Sequence, residues 1–300
     1  MRPPLHPAWV WLPPCALLAA LLLTGASGSD RALFLLLNRA GGAVDGTIWL
    51  HLSMPGEAAI ALAFVLPCIR RAPRCFWAGL VALAIAGLWA GVASRFIELA
   101  RPLAVLDAGA FFHAGPAGQR AAFPSGHAAL ACALAGVGVM GLAGRNAVRA
   151  LLLLLAGLAG LARIMAGAAW PVDVLCGWLG GWLGAWAGLA LAGRWRWRWS
   201  GRRDRNTSGR AGMPAAPLIA GLLLAGLAAG LLLGPHAGSP AVMPVRRLVG
   251  GACLAWGLWE MAAMLPRFGG WRLHRWRPGR WRRAGPGAKG GVIKGRATDG

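Results

Sequence analysis

Phe123-Pro124-Ser125-Gly126-His127-Ala128-Ala129-Leu130-Ala131-Cys132-Ala133-Leu134 sets a turn of polar and helix-breaking residues directly against an unbroken apolar run. The run continues to residue 143, close to the roughly 20 residues a helix needs to cross a hydrocarbon core of about 30 Å. Further along the chain in both directions, similar runs lie near 9–27, 56–69, 76–97, 148–166, 172–192, 217–234 and 248–265, giving about eight candidate spans. The second is short, so an earlier start or a tilt is expected. Residues 30–55 mix Asp30, Arg31, Arg39 and Asp45 with the apolar run Leu33 to Leu37, which fits an amphipathic or loop segment at the membrane interface. Composition agrees: the chain is 57% hydrophobic and 13% charged, about half the charged share of a soluble domain. An all-α integral membrane protein is the expected fold class.

A net charge of +22 raises the question of nucleic acid, since a basic stripe is the usual footprint of phosphate-backbone binding. The distribution argues otherwise, and no nucleic acid is expected. Arg70, Arg71 and Arg74 precede the third span, Arg145 and Arg149 lie between the fourth and fifth, and seven arginines fill 194–210. With an alternating chain these fall on one side, the cytoplasmic one by the positive-inside rule. Arg246 and Arg247 break the pattern, on the opposite loop before the last span. The alternation Arg194-Trp195-Arg196-Trp197-Arg198-Trp199 suits the headgroup layer. The N-terminal run after Arg2 has signal-peptide features, with small residues from Thr24 to Ser29, but an uncleaved first helix is expected. Six cysteines, at 15, 68, 75, 132, 176 and 253, lack metal-ligand spacing, so neither a disulfide framework nor a metal site is expected.

Four segments follow: a six-helix core over 1–193, a basic cytoplasmic linker over 194–216, a two-helix extension over 217–265, and a basic, disordered tail over 266–300. The linker's Asn206-Thr207-Ser208 fits a glycosylation sequon but is read as meaningless on the cytoplasmic side. Linker and tail are expected to attract anionic lipids. In the sixth span, Gly177 and Gly181, and likewise Gly180, Gly184 and Gly188, recur at spacings of four, a pattern that lets helix backbones approach closely in lipid. Glu260, inside the last span, is read as a packing or helix-contact residue.

Polar residues gather at span ends that this topology puts on the outer face: Arg101-Pro102, Pro124-Ser125-Gly126-His127, Arg163 and Asp173. Each is costly inside hydrocarbon. Ser125 and Gly126 open a helix whose first amides point free N–H groups outward, a natural anion cradle. Arg101 and Arg163 can clamp the same anion, because a planar guanidinium pairs bidentately with phosphate oxygens. Together they describe a phosphate pocket.

These residues carry a resemblance. Arg101-Pro102, the complete Pro124-Ser125-Gly126-His127, and Arg163 with Asp173 ten residues later resemble the three motif blocks of the type-2 phosphatidic acid phosphatase and vanadium haloperoxidase superfamily. The match covers roughly residues 56–193. Three departures stand out: Ser94 where the first block has lysine, with Arg95 beside it; Ala162 for a serine; and Ala169 at the position of the family's histidine.

The resemblance implies a lipid phosphatase of the membrane branch that works through a phosphohistidine without metal or cofactor. Arg101, Ser125, Gly126 and Arg163 would hold the phosphate, His127 would protonate the leaving oxygen, and Asp173 would orient the nucleophile. Ala169 lacks the atoms to attack phosphorus, and losing a nucleophile costs on the order of a millionfold in a protease analogue. His113, on the same outer loop, is the histidine best placed to substitute, although a rim contact is its simpler reading. His236 lies on a farther outer loop, and His6, His51 and His274 are poorly placed. The expected ligand is a membrane lipid phosphate: phosphatidic acid, phosphatidylglycerophosphate or a polyprenyl diphosphate. The expected location is the bacterial inner membrane, with the site facing the periplasm or exterior. A non-catalytic lipid-phosphate-binding protein and a transporter or structural membrane protein remain as alternatives.

Overall fold

The computed structural model describes residues 6–97, 99–107, 109–115, 123–142, 144–199, 216–234 and 239–262. The 266–300 tail, the sequon, His236, His274 and most of the 194–216 linker lie outside the described residues. The apolar runs become helices, the first of them despite Pro13 and Pro14 in its interior, in the order α1 (Ala8–Ser27), α2 (Asp30–Gly41), α3 (Gly46–Ser53), a 3-10 turn (Met54–Gly56), α4 (Ala58–Val65), α5 (Cys68–Arg71) and α6 (Pro73–Phe96). There follow α7 (Pro102–Val105), α8 (Gly126–Val137) with a π-helical turn (Gly138–Leu142), α9 (Asn146–Met165), α10 (Pro171–Trp199), α11 (Ala216–Leu233), a 3-10 turn (Pro240–Val242) and α12 (Met243–Ala262).

Among the described residues, four helices are long and apolar enough to cross a membrane: α1, α6, α9 and residues Pro171–Arg194 of α10. A fifth span forms if Gly46–Gly56 and Ala58–Val65, bent by 53° at their junction, are counted together. Gly126–Gly141 and Gly221–Leu233 are shorter apolar helices. Large apolar side chains stand outward on these helices, with Leu23 70% and Leu88 65% exposed, as a lipid-facing surface requires.

Several sequence expectations need adjustment. Counted with the bent helix before it, the span expected over 56–69 would begin at Gly46, with Pro55 and Gly56 at the bend. The segment 30–55 divides between α2, which is amphipathic, and the α3 arm of that bend. The last helix starts at Met243 rather than 248, so Arg246 belongs to the helix and not to an outer loop. It is buried there because Glu57 and the Gly230 carbonyl take its guanidinium. Arg149 likewise sits buried in the first turn of α9, donating to Asn146 Oδ1 at 2.8 Å and to the Val139 carbonyl of the π-helical turn at 3.4 Å. The basic run from Arg194 to Trp199 continues α10.

α10 is the axis of the bundle, and two rows of glycine let it serve two neighbours at once. A Cβ on Gly177 would lie 2.5 Å from the Ser125 carbonyl oxygen, and one on Gly181 would run into that of Ala129, so this row presses on α8. Gly184 and Gly188 press instead on the Ala82 and Ala78 carbonyls of α6, while Gly180 lies against the Trp89 indole. Alanines fill the remaining interface: Ala78, Ala82, Ala86, Ala129, Ala133 and Ala185 are all fully buried. Without a hydrophobic drive between helices in lipid, such backbone proximity is what holds them. The Trp182 and Trp178 indoles, donating to Val10 and Ala156 carbonyls at 3.1 Å, attach α1 and α9 to the same axis.

Gly181→Ala is therefore expected to cost about 1–3 kcal/mol through overpacking. Gly157→Ala on α9, where no atom lies within 4 Å, should cost nothing. Thermal unfolding in lipid nanodiscs checks the difference, and equal midpoints would mean that α8 and α10 are not held at backbone contact.

Candidate functional site

The close approach of α10 to α8 brings their N-terminal ends to one level. Ser125 is the N-cap of α8, in extended conformation, and its hydroxyl accepts from the Ala128 amide at 3.4 Å. Its own N–H donates to the Asp173 carbonyl at 2.9 Å, tying the Pro-Ser-Gly-His turn to the first turn of α10. Gly126 has only an ordinary contact on its Cβ side, 3.7 Å to Ala90, and His127 is half-buried with its carbonyl against Gly56.

Asp173 occupies the third position of α10 and reaches back to cap it. Its Oδ2 accepts the Trp170 N–H at 2.9 Å, while Oδ1 is buried with no partner. Asp30 of α2 caps the same helix end from outside, Oδ1 accepting the Val172 N–H at 2.9 Å. Burial raises the Asp30 carboxyl above its ordinary value, and that amide draws it back.

Arg101 stands at the N-cap of α7, preceding the buried Pro102. The Trp170 indole donates to the Ala100 carbonyl at 2.8 Å and anchors this corner beside residue 169. Burial pulls the Arg101 guanidinium below its ordinary value, and the nearby Asp173 charge pushes it back; Arg101 Nε is buried without a partner. Arg163, in the last turn of α9, is close enough for its charge to repel that of Arg101. Among the described residues neither guanidinium has a carboxylate at ion-pair distance.

Ala169 is 3% exposed and sits in an apolar cluster with Phe34, Leu106, Ala128, Ile164 and Val174. Ser94 spends its hydroxyl on the Gly91 carbonyl at 3.0 Å, and Arg95 is exposed on the last turn of α6. His113 lies on the loop that runs beside the end of α9, where the Ala114 N–H donates to the Ala166 carbonyl at 3.0 Å. Phe112 and Ala114 turn toward Gly46, whereas Phe111 packs on Phe34. His113 faces the Phe111 side, ring centroids 6.3 Å apart, and both its nitrogens are buried without a hydrogen-bond partner. His51 is engaged elsewhere, with Nδ1 2.7 Å from the Thr47 carbonyl oxygen.

Sequence reasoning missed two residues that hold this rim together. Asn38 of α2, 1% exposed, donates to the carbonyls of Phe112 (2.8 Å), Ile164 (3.3 Å) and Met165 (3.1 Å) and accepts from the Phe112 N–H at 2.8 Å. Asp30 is the other. The available signal was local: an amide directly after the apolar run Leu33 to Leu37, and an acid at the first helical position. Gly167, at φ +71°, completes the loop, since a Cβ there would meet the Phe112 carbonyl.

No sequence among the curated proteins matches this chain. Among solved structures, the crystal structure of Aquifex aeolicus LpxE is similar at 23% identity and a TM-score of 0.47, over 54% of this chain and 94% of that one. The PAP2 superfamily model matches residues 76–199, the stretch that runs from α6 through α10 and contains Arg101, the Pro-Ser-Gly-His turn, Arg163 and Asp173. That segment is similar to the PAP2 superfamily, and the long apolar helices make the chain a multi-pass membrane protein.

Proposed function

We propose that the chain is a lipid phosphatase in architecture that recognises the phosphate of a membrane lipid and is arrested at its nucleophile position. The observation that carries this reading is the pair Arg101, at the N-cap of α7, and Arg163, in the last turn of α9, neither with a carboxylate at ion-pair distance among the described residues. A phosphate between them would offer each a bidentate partner. Ser125 and Gly126 would present the opening amides of α8 to the same anion. His127, one residue further, would supply the proton that the leaving oxygen needs.

Asp173 supports the same assignment. One carboxylate oxygen is spent on capping α10, and the other, buried and unpartnered, is the acceptor a donor side chain at 169 would satisfy. A methyl group at 169 leaves it unsatisfied. The phosphorus centre would then be held but not attacked, so binding without turnover is the expected behaviour. The candidate ligands are phosphatidic acid, phosphatidylglycerophosphate and polyprenyl diphosphate. The arginine distribution supports an outward-facing site in the bacterial inner membrane, and residues 1–193 would form its core with 217–265 as a two-helix extension. The basic 194–216 and 266–300 segments would attract anionic lipid.

His113 supports one second reading. A buried imidazole with neither nitrogen hydrogen-bonded is costly, and such a group on the loop bonded to Ala166 is a candidate to attack phosphorus in place of residue 169.

Phosphate release from the three lipids by the purified chain in vesicles tests both readings. Ala169→His is expected to raise the rate by up to on the order of a millionfold, the scale on which a nucleophile contributes, and His127→Ala should abolish the gain. Absence of release from the Ala169→His protein on every lipid would sink the phosphatase assignment. Turnover by the unaltered chain that is lost in His113→Ala would establish the second reading.

Affinity is the complementary measurement. Arg101→Ala and Arg163→Ala should each weaken binding of short-chain phosphatidic acid by about tenfold or more, from lost charge-assisted hydrogen bonds. Calorimetric titration in detergent reads this directly. Unchanged affinity in both variants would rule out a phosphate clamp.

A further inference from the structure

The two-helix extension contacts the core through a charge pair, Arg246 buried and Glu57 half-buried, at the bend between the Met54–Gly56 turn and α4. Glu57 directly follows the Met54–Gly56 turn and is the N-cap of α4, yet its side chain makes no capping bond. Its carboxylate accepts instead from Arg246 in the first turn of α12. The same guanidinium donates to the Gly230 carbonyl of α11 at 3.3 Å. Around this junction Met54 and Ile60 from the broken span pack with Leu231 of α11 and Val242 before α12. Break, α11 and α12 therefore meet at one arginine.

A largely buried pair of this kind is a poor way to gain stability. Desolvation roughly cancels the Coulomb attraction, and apolar side chains of similar volume commonly do as well or better. What such a pair can provide is register. Here the position being registered has a neighbour of consequence: Gly56, one residue before Glu57, lies against the backbone of His127, so that a Cβ on Gly56 would run into the His127 carbonyl oxygen. The first turn of α8 rests on the break that Arg246 holds.

We propose that the C-terminal hairpin of α11 and α12 braces the catalytic centre, with Arg246 acting through Glu57 and Gly56 as a positioning residue for His127. The proposal rests on the proton-donor role given to His127 above. It concerns neither Arg101 nor Arg163, which stand on other elements. Freed from Arg246, the Gly56–Glu57 corner would relax its bend, and His127 would shift relative to a phosphate still held by the arginines. A misplacement of about 1 Å is enough to cost on the order of a hundredfold in rate.

The test uses the full chain in nanodiscs and reads His127 itself. Imidazole carbon signals of histidine-labelled protein, assigned with His127→Gln, are followed against pH in Glu57→Asp, in the doubly neutral Glu57→Gln with Arg246→Met, and in the charge-exchanged Glu57→Arg with Arg246→Glu. The doubly neutral variant avoids leaving one charge buried alone, which would be strongly destabilising. The His127 signal and its titration midpoint are expected to move in the first two variants and to return toward their original values in the exchanged one. In the Ala169→His background the same variants should lower kcat by about tenfold or more while KM stays within about twofold, the signature of a displaced group that does not bind the ground state. An unmoved His127 signal in folded variants overturns the brace, as does loss of folding in all three, the exchanged pair included. If Ala169→His releases no phosphate, the phosphatase assignment fails, while the spectroscopic result still decides whether Arg246 positions His127.

Discussion

The approach of α10 to its neighbours at backbone distance governs where everything else can be. Gly177 and Gly181 remove the side chains that would separate α10 from α8, and Gly184 and Gly188 do the same toward α6. Because Gly177 already touches the Ser125 carbonyl, the contact extends to the mouth of α8, where the Ser125 N–H reaches the Asp173 carbonyl. Larger residues in the glycine rows would spread the helices and open that hydrogen bond. The packing that holds the bundle together in lipid is thus also what aligns two helix N-termini at one rim.

At that rim the chemistry follows from what hydrocarbon forbids. A polar group inside the bilayer needs a partner within the protein, and the helix ends supply most of them: Asp173 and Asp30 take the free amides of α10, Asn38 takes three stray carbonyls, and Trp170 takes that of Ala100. The exceptions are informative because the rest is so complete. Arg101 Nε, Asp173 Oδ1 and both nitrogens of His113 are buried and unpartnered, and they belong to the segments that converge around residue 169. A buried polar group left without a partner is costly.

Ala169 itself fits its surroundings. Its methyl packs against Phe34, Ala128, Ile164 and Val174 with little exposure, so the fold does not depend on a polar residue there. The apolar cluster needs only a small side chain at this position. Arg246 and Glu57 present the opposite case, where a charge pair, its arginine buried and its glutamate half-buried, is retained at the corner against which the His127 backbone lies.

Much was legible in the order of residues. The all-helical membrane fold and the glycine rows could be read because apolar length and small-residue spacing are properties of local sequence, as could the places of Ser125, His127, Arg163 and Asp173 at helix ends. The 53° bend at Pro55-Gly56, which joins the helix from Gly46 to the apolar run that follows, could not be placed from apolar length alone. Asn38 and Asp30 could not be identified as partners of Phe112 and Val172, because those bonds cross 74 and 142 residues of chain. Nor could Arg246 be matched to Glu57, 189 residues away. Sequence determined which groups hydrocarbon would refuse; only the tertiary structure decided which groups would answer them, because hydrogen bonds and ion pairs depend on distances that close when the helices pack.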